Sequence, residues 1–297
     1  MLYWIPTMPE TITVSSYEEL RNAAENASDG DTIIISEGNY TPFNGYFPDL
    51  VTGEPTDVAR PLDIQITASI TIIGEGNGAV FDPGIGTTPD GEPSVLTTVD
   101  KGLFVVSGGA DQEVTFENIT FQNIHSISRN GAGIRIETGD VTIRDSTFIR
   151  NDNGVLGTAL EGQGGTVRIV GSEFAENGYE DGKSHAIYVH AEALYVENSY
   201  IHDTIGGHHI KSTSFYTEIT GNDIFDGTNS AGSVPASHMI DMQAGGNVLI
   251  EGNTIIREQF GQGPQIINYC AVRYGNDPGE SVLVTNNVII NNRMDID

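Results

Sequence analysis

The chain has 297 residues, with 41 Asp and Glu against 13 Lys and Arg, so its formal charge is −28. Such a surplus of acid excludes a general nucleic-acid or anionic-membrane surface, which needs clustered Lys and Arg. No apolar run reaches the roughly 20 residues that span a bilayer, and the single cysteine, Cys270, forms neither an internal disulfide nor a thiolate zinc site.

At the amino end, Met1-Leu2-Tyr3-Trp4 has neither the basic start nor the apolar core of a signal peptide. ITVSS then reads as a strand, and Ser16 with Glu19 forms a capping box for a helix over 17–27. Leu20, Ala23, Ala24 and Ala27 give that helix one apolar stripe, and Gly30 ends it. GDTIIISEGNY follows as a first coil.

A repeat occupies the rest of the chain. VTFENITF ends at Phe121, VTIRDSTF at Phe148, VRIVGSEF at Phe174 and LYVENSYI at Ile201, followed by TEITGNDI, VLIEGNTI and VLVTNNVI ending at Ile224, Ile255 and Ile289. The intervals are 27, 26, 27, 23, 31 and 34 residues. Each segment alternates with period 2, as a strand with one buried face does, and then carries a small polar pair that supplies a bend. Second members of the pair form a file: Ser146, Ser172, Ser199, Asn222, Asn253 and Asn287. Stacked in register, they would hydrogen-bond along the file. A second strand file is expected at 133–137, 159–163, 186–190, 209–213 and 239–243.

Short strands at about 25-residue intervals predict an all-β fold, a single-stranded right-handed parallel β-helix in one domain over 1–297. The amino-terminal cap is expected over about 12–30 and the coils over about 31–292. A propeller would need about 40 residues per blade. At the far end NNVIINNRMDID offers no cap, so a partner, a second copy or further chain is expected to cover the last coil. Capping helix, GDTIIISEGNY and the Ser/Asn file together resemble the pectate-lyase-like β-helix superfamily. That resemblance fixes a fold and leaves the activity open among lyases, hydrolases, epimerases and adhesins.

In the second file, Ile134, Leu160, Ile187, Ile210 and Ile240 are expected to point inward, which turns Arg135, Glu161, Tyr188, Lys211 and Asp241 outward. Two positions on lie Glu137, Gln163, His190, Thr213 and Gln243. His185, His208 and His238 each precede an inward isoleucine by two positions. The outer pair stands about 9.6 Å apart at the coil spacing, too far for one zinc, so a stacked ladder is expected instead. His190 and His209 are expected to face outward and to relay protons.

GHHIKS, with Lys211, resembles the Lys-Ser motif of the alginate lyase and chondroitinase B group, where lysine acts as base. That group places an arginine on the next coil, whereas this chain has Asp241. The expectation is therefore that Asp241 keeps Lys211 protonated to bind a uronate carboxylate, while Tyr188 moves the proton and His190 or His209 relays it. Arg135, Glu161, Asp241 and Gln243 are the expected substrate contacts. The function expected is a lyase acting on a uronate-containing polysaccharide, and the location expected is secreted, periplasmic or cell-surface. The alternatives are an inverting hydrolase using Glu137 and Glu161, or a non-catalytic carbohydrate-binding or adhesive β-helix. Calcium is the one cofactor the acidic turns at Asp152 or Asp181 suggest, without a complete ligand loop. The inserts 228–237 and 259–265 are expected to wall a groove.

Overall fold

The computed structural model describes residues 8–41, 62–83, 99–126, 128–158, 164–179, 182–227, 234–258, 265–269 and 279–292, with the short antiparallel strand pair Ile85–Thr87 and Pro93–Val95. Those residues form three long parallel sheets of ten, nine and eight strands. In each sheet the neighbour of a strand is its counterpart one coil on. The fold is a right-handed parallel β-helix, the hand that parallel crossovers take.

The core is made by identical positions stacking on one another. In the ten-stranded sheet Ile33, Ile72, Phe116, Ile143, Ile169, Val196, Ile219 and Ile250 are successive partners, all at 0% exposure. In the nine-stranded sheet Phe121, Phe148 and Phe174 stack face to face, with centroids 4.8 and 4.6 Å apart. After Phe174 the same file continues as Ile201, Ile224 and Ile255. That change from ring to branched chain matters for the site below.

Coils turn between these two sheets through a residue with positive φ. Asp145 (47°), Gly171 (60°), Asn198 (49°), Gly221 (66°), Gly252 (68°) and Asn286 (55°) occupy it. Gly, Asn and Asp are the residues that enter the left-handed region most readily, which explains the first member of each polar pair. The second member carries the predicted ladder. Backbone N–H groups of Ser146, Ser172, Ser199, Asn222 and Asn253 donate to the side-chain oxygen one coil on, at 2.8–3.2 Å. Asn151 and Asn177 form a second, shorter ladder at the next corner.

The helix Tyr17–Glu25 lies over the first coil, with Leu20, Ala23 and Ala24 buried. Ser16 caps it by accepting from the Glu19 N–H at 3.2 Å. In return the Glu19 carboxylate accepts from the N–H and hydroxyl of Ser15 rather than from Ser16. Arg21 is buried as well and donates to the Asp63 carbonyl at 3.2 Å, while the Tyr17 hydroxyl donates to the Leu62 carbonyl. At the opposite end, strands Val282–Thr285 and Val288–Asn291 leave Leu283 and Val288 each 56% exposed among the described residues. No described helix is long and apolar enough to cross a membrane.

Candidate functional site

The eight-stranded sheet carries the ionisable strip. Its strands Ala132–Ile136, Asn153–Thr158, Ile187–His190, His208–Ser212, His238–Met242 and Ile267–Tyr269 pair in register. One outward row therefore reads Arg135, Leu156, Tyr188, Lys211, Asp241 and Asn268. The row beside it passes through Thr158, His190 and Thr213.

Two expectations change here. The strand after Arg135 is Asn153–Thr158, not 159–163, so Val155 is the inward residue and Leu156 its outward neighbour. Glu161 and Gln163 lie outside the described residues, and the strip position expected for Glu161 is filled by Leu156. The other change is His209, which is fully buried rather than outward. It occupies the position held by Gly133, Gly154 and Ala186 in earlier coils. A Cβ added at Gly133 would come within 3.0 Å of Phe121 and Phe148, and one at Gly154 within 2.9 Å of Phe174. Where the file switches from Phe to Ile there is room, and His209 takes it, with Met239 next. The His209 Nε2 lies 3.1 Å from the Phe225 carbonyl oxygen. Burial lowers the pKa of this ring to about 4.

Lys211 and Tyr188 meet on this strip, with Nζ over the ring and 4.7 Å from its centre. Burial lowers the Lys211 pKa and outweighs the opposing pull of Asp241. The expectation gave Asp241 alone a hold on this amine, whereas burial acts on it in the opposite sense. Asp241 is itself buried, and its two oxygens are engaged elsewhere: Oδ2 lies 3.3 Å from His208 Nε2, and Oδ1 accepts from Asn268 at 2.7 Å. Ser212, the second residue of the Lys-Ser pair, points inward and shares a 2.7 Å hydrogen bond with Thr217.

His190 is half-buried, two residues from Tyr188 on the same face. Its Nδ1 lies 2.9 Å from the Thr213 carbonyl oxygen. A carbonyl only accepts, so Nδ1 bears a proton, and in the neutral form of the ring Nε2 keeps the lone pair. Arg135 stands two strands from Tyr188, beyond Leu156, and donates to Thr158 at 2.7 Å. Its Nε and Nη1 are buried without hydrogen-bond partners among the described residues. Glu137, which Arg135 approaches to 3.9 Å, is bonded to Lys101 at 2.6 Å. Gln243 sits half-buried in the turn after His238–Met242.

The histidine ladder is present. His185 and His208 stack at 4.8 Å and 17°, and His238 meets His208 at 4.8 Å edge-on. Burial, reinforced by the neighbouring histidine, holds His208 at a pKa of about 3 and His185 well below its ordinary value. Asp152 is not free for a cation, since it accepts from the N–H groups of Ser126 and Gly131 and bonds His125. Asp181 and most of the two long inserts lie outside the described residues. Asn268 was not foreseen, although the alternation in QIINY matches that of HMIDMQ and would have revealed it.

No protein-family model matches the sequence, and no curated protein matches it. Solved structures do match in fold. The PL6 family alginate lyase AlyGC superposes with a TM-score of 0.53 over 97% of this chain, at 13% identity. A pectin methylesterase from Aspergillus niger superposes with a TM-score of 0.50 over 99% of the chain, also at 13% identity. The chain shares the parallel β-helix fold of these structures. It spans 42% of the length of the alginate lyase and 88% of that of the esterase. At such identities the likeness of this β-helix to either protein is one of fold.

Proposed function

We propose that the chain is a carbohydrate-active enzyme that cleaves a uronate-containing polysaccharide by β-elimination. The observation that carries the reading is the half-buried Lys211 amine, 4.7 Å from the Tyr188 ring centre, with its pKa lowered by burial. β-Elimination needs a base for the proton α to the carboxylate and an acid for the departing oxygen. Lys211, as a neutral amine, takes the α-proton and becomes an ammonium. Tyr188 gives its hydroxyl proton to the leaving oxygen, and the new ammonium stabilises the phenolate nearby. His190, with its Nε2 lone pair on the same face, returns the proton from one to the other. The base role of lysine agrees with the Lys-Ser resemblance, and the fold likeness to an alginate lyase supports a polymeric uronate as substrate. Such a substrate fits a secreted, periplasmic or cell-surface location.

The charge of −28 repels a polyanion at long range. Screening over about 8 Å at physiological salt confines that repulsion, so local groups, with Arg135 as the cation of the strip, decide binding. The test is a screen of uronate polysaccharides for the ultraviolet absorbance of unsaturated ends. Product formation that disappears in Lys211→Gln and falls sharply in Tyr188→Phe supports the assignment. Binding that depends on Lys211 without any unsaturated product makes this β-helix a binding module instead.

A further inference from the structure

The His208 and His238 rings have an unusual proton arrangement. His208 Nε2 lies 3.3 Å from Asp241 Oδ2, a carboxylate oxygen that only accepts. His238 Nε2 lies 3.2 Å from the amide oxygen of Gln265, which also only accepts. Each Nε2 therefore carries its ring's hydrogen, and a neutral imidazole has one. The two Nδ1 atoms are left as lone pairs, facing each other at 3.3 Å. Ser237 Oγ stands 2.7 Å from His208 Nδ1 and 3.1 Å from the Gly207 carbonyl oxygen, and its one hydrogen serves one of the two at a time. Lone pairs so placed repel unless a cation lies among them.

The spacing fits a metal. Two nitrogens each about 2.0–2.1 Å from a tetrahedral ion stand about 3.3 Å apart. Ligating histidines also habitually give their second N–H to a carboxylate or carbonyl, as His208 does to Asp241 and His238 to Gln265. We propose that His208 and His238 bind a divalent ion of the zinc class through their Nδ1 atoms, with Ser237 Oγ at the edge and the remaining positions open to water or a ligand carboxylate. Nitrogen donors favour zinc, nickel or copper over calcium or magnesium. Among the described residues no three His, Cys, Asp or Glu converge, so the pair acts with exchangeable ligands rather than as a closed structural site. The ladder expected from sequence and this site coexist, because adjacent rings meet where the outer two cannot. The inference stands apart from the lyase reading, since it is read out without substrate.

The experiment is calorimetric titration of the full chain, stripped by a chelator, with zinc alone, alongside cobalt to report nitrogen ligation by its visible spectrum. A single zinc ion per chain is expected. His238→Asn, at a half-buried position, should lower affinity at least tenfold, and Asp241→Asn should lower it about 10–100-fold by loosening the His208 ring. His202→Asn serves as the control. That histidine lies on the nine-stranded sheet between Glu173 and Asp203 and should leave zinc binding unchanged. Circular dichroism checks that each variant folds. Absence of stoichiometric binding overturns the proposal, as does loss of binding in His202→Asn with retention in His238→Asn. A direct Nδ1–H···Nδ1 bond between the rings that persists with zinc in excess, seen by nitrogen NMR, also overturns it.

Discussion

Asn253 Oδ1 accepts two hydrogen bonds from Asn222, one from its backbone N–H at 2.8 Å and one from its side-chain amide at 2.9 Å. Its own amide group donates to the Ile219 carbonyl at 2.8 Å, and Asn287 repeats the pattern one coil on. One side chain at 1% exposure thus satisfies three polar groups of the coil before it.

Asn253→Leu should accordingly destabilise the protein, since it strands the Asn222 N–H in an apolar corner. Each buried group left without a partner costs about 1–3 kcal/mol. Denaturant titration should show a lower midpoint, with polysaccharide binding unchanged in the folded variant. An unchanged midpoint would count against the ladder as a source of stability.

Lys211→Arg separates two roles for the lysine. Arginine keeps the charge and the reach to a carboxylate but does not give up its proton. If Lys211 is the base, turnover falls by about 10²–10⁴-fold while substrate binding persists. Should turnover stay within a few-fold, Lys211 holds the carboxylate and the proton moves elsewhere.

The explanation for the buried His209 predicts a coupling between Gly133 and the phenylalanine stack. Gly133→Ala places a Cβ 2.9 Å from Phe148, an overpacking that costs about 1–3 kcal/mol. Phe148→Leu alone also destabilises, by loss of stacking. In the double variant the two costs should not add, because the smaller side chain admits the methyl group. Strict additivity in thermal melts would refute this account of the corner.

A dependence of stability on pH follows from the same ring. Its folded pKa of about 4 lies below the ordinary histidine value of 6.5, so the unfolded chain binds a proton that the folded one refuses. Stability from this group is full above about pH 6.5 and is lost as pH falls through about 4, with a slope of up to about 1.4 kcal/mol per pH unit between. His209→Met, which copies Met239 one coil on, should flatten the melting-temperature profile across that window. A profile as steep as the parent's would show that other groups control it.

Much of the fold was legible because a solenoid repeats its environment. The Ser/Asn file and the Phe/Ile file had to be visible in sequence, since each coil meets the same surroundings. The register of one strand was not, because 159–163 is evenly spaced between its neighbours while the true strand is Asn153–Thr158. The overlooked signal was Gly154-Val155, a copy of Gly133-Ile134 that the phenylalanine rings impose on both coils. Alternation also failed before the inward isoleucines. At that corner two successive positions face the interior, so His209 was turned the wrong way. The burial that lowers the Lys211 pKa comes from the coils on either side, which no local pattern encodes.

The ladder has a direction, and that direction has a consequence for how the molecule is made. From Ser146 to Asn253, backbone N–H groups wait for an oxygen supplied by the following coil. A chain leaving the ribosome would first seal its leading end with the Tyr17–Glu25 helix and then add coils to a ready edge. Each newly synthesised coil would complete the bonding of its predecessor while leaving its own N–H open for the next. Assembly of this kind proceeds like a ratchet, one turn at a time, and needs no search among distant partners.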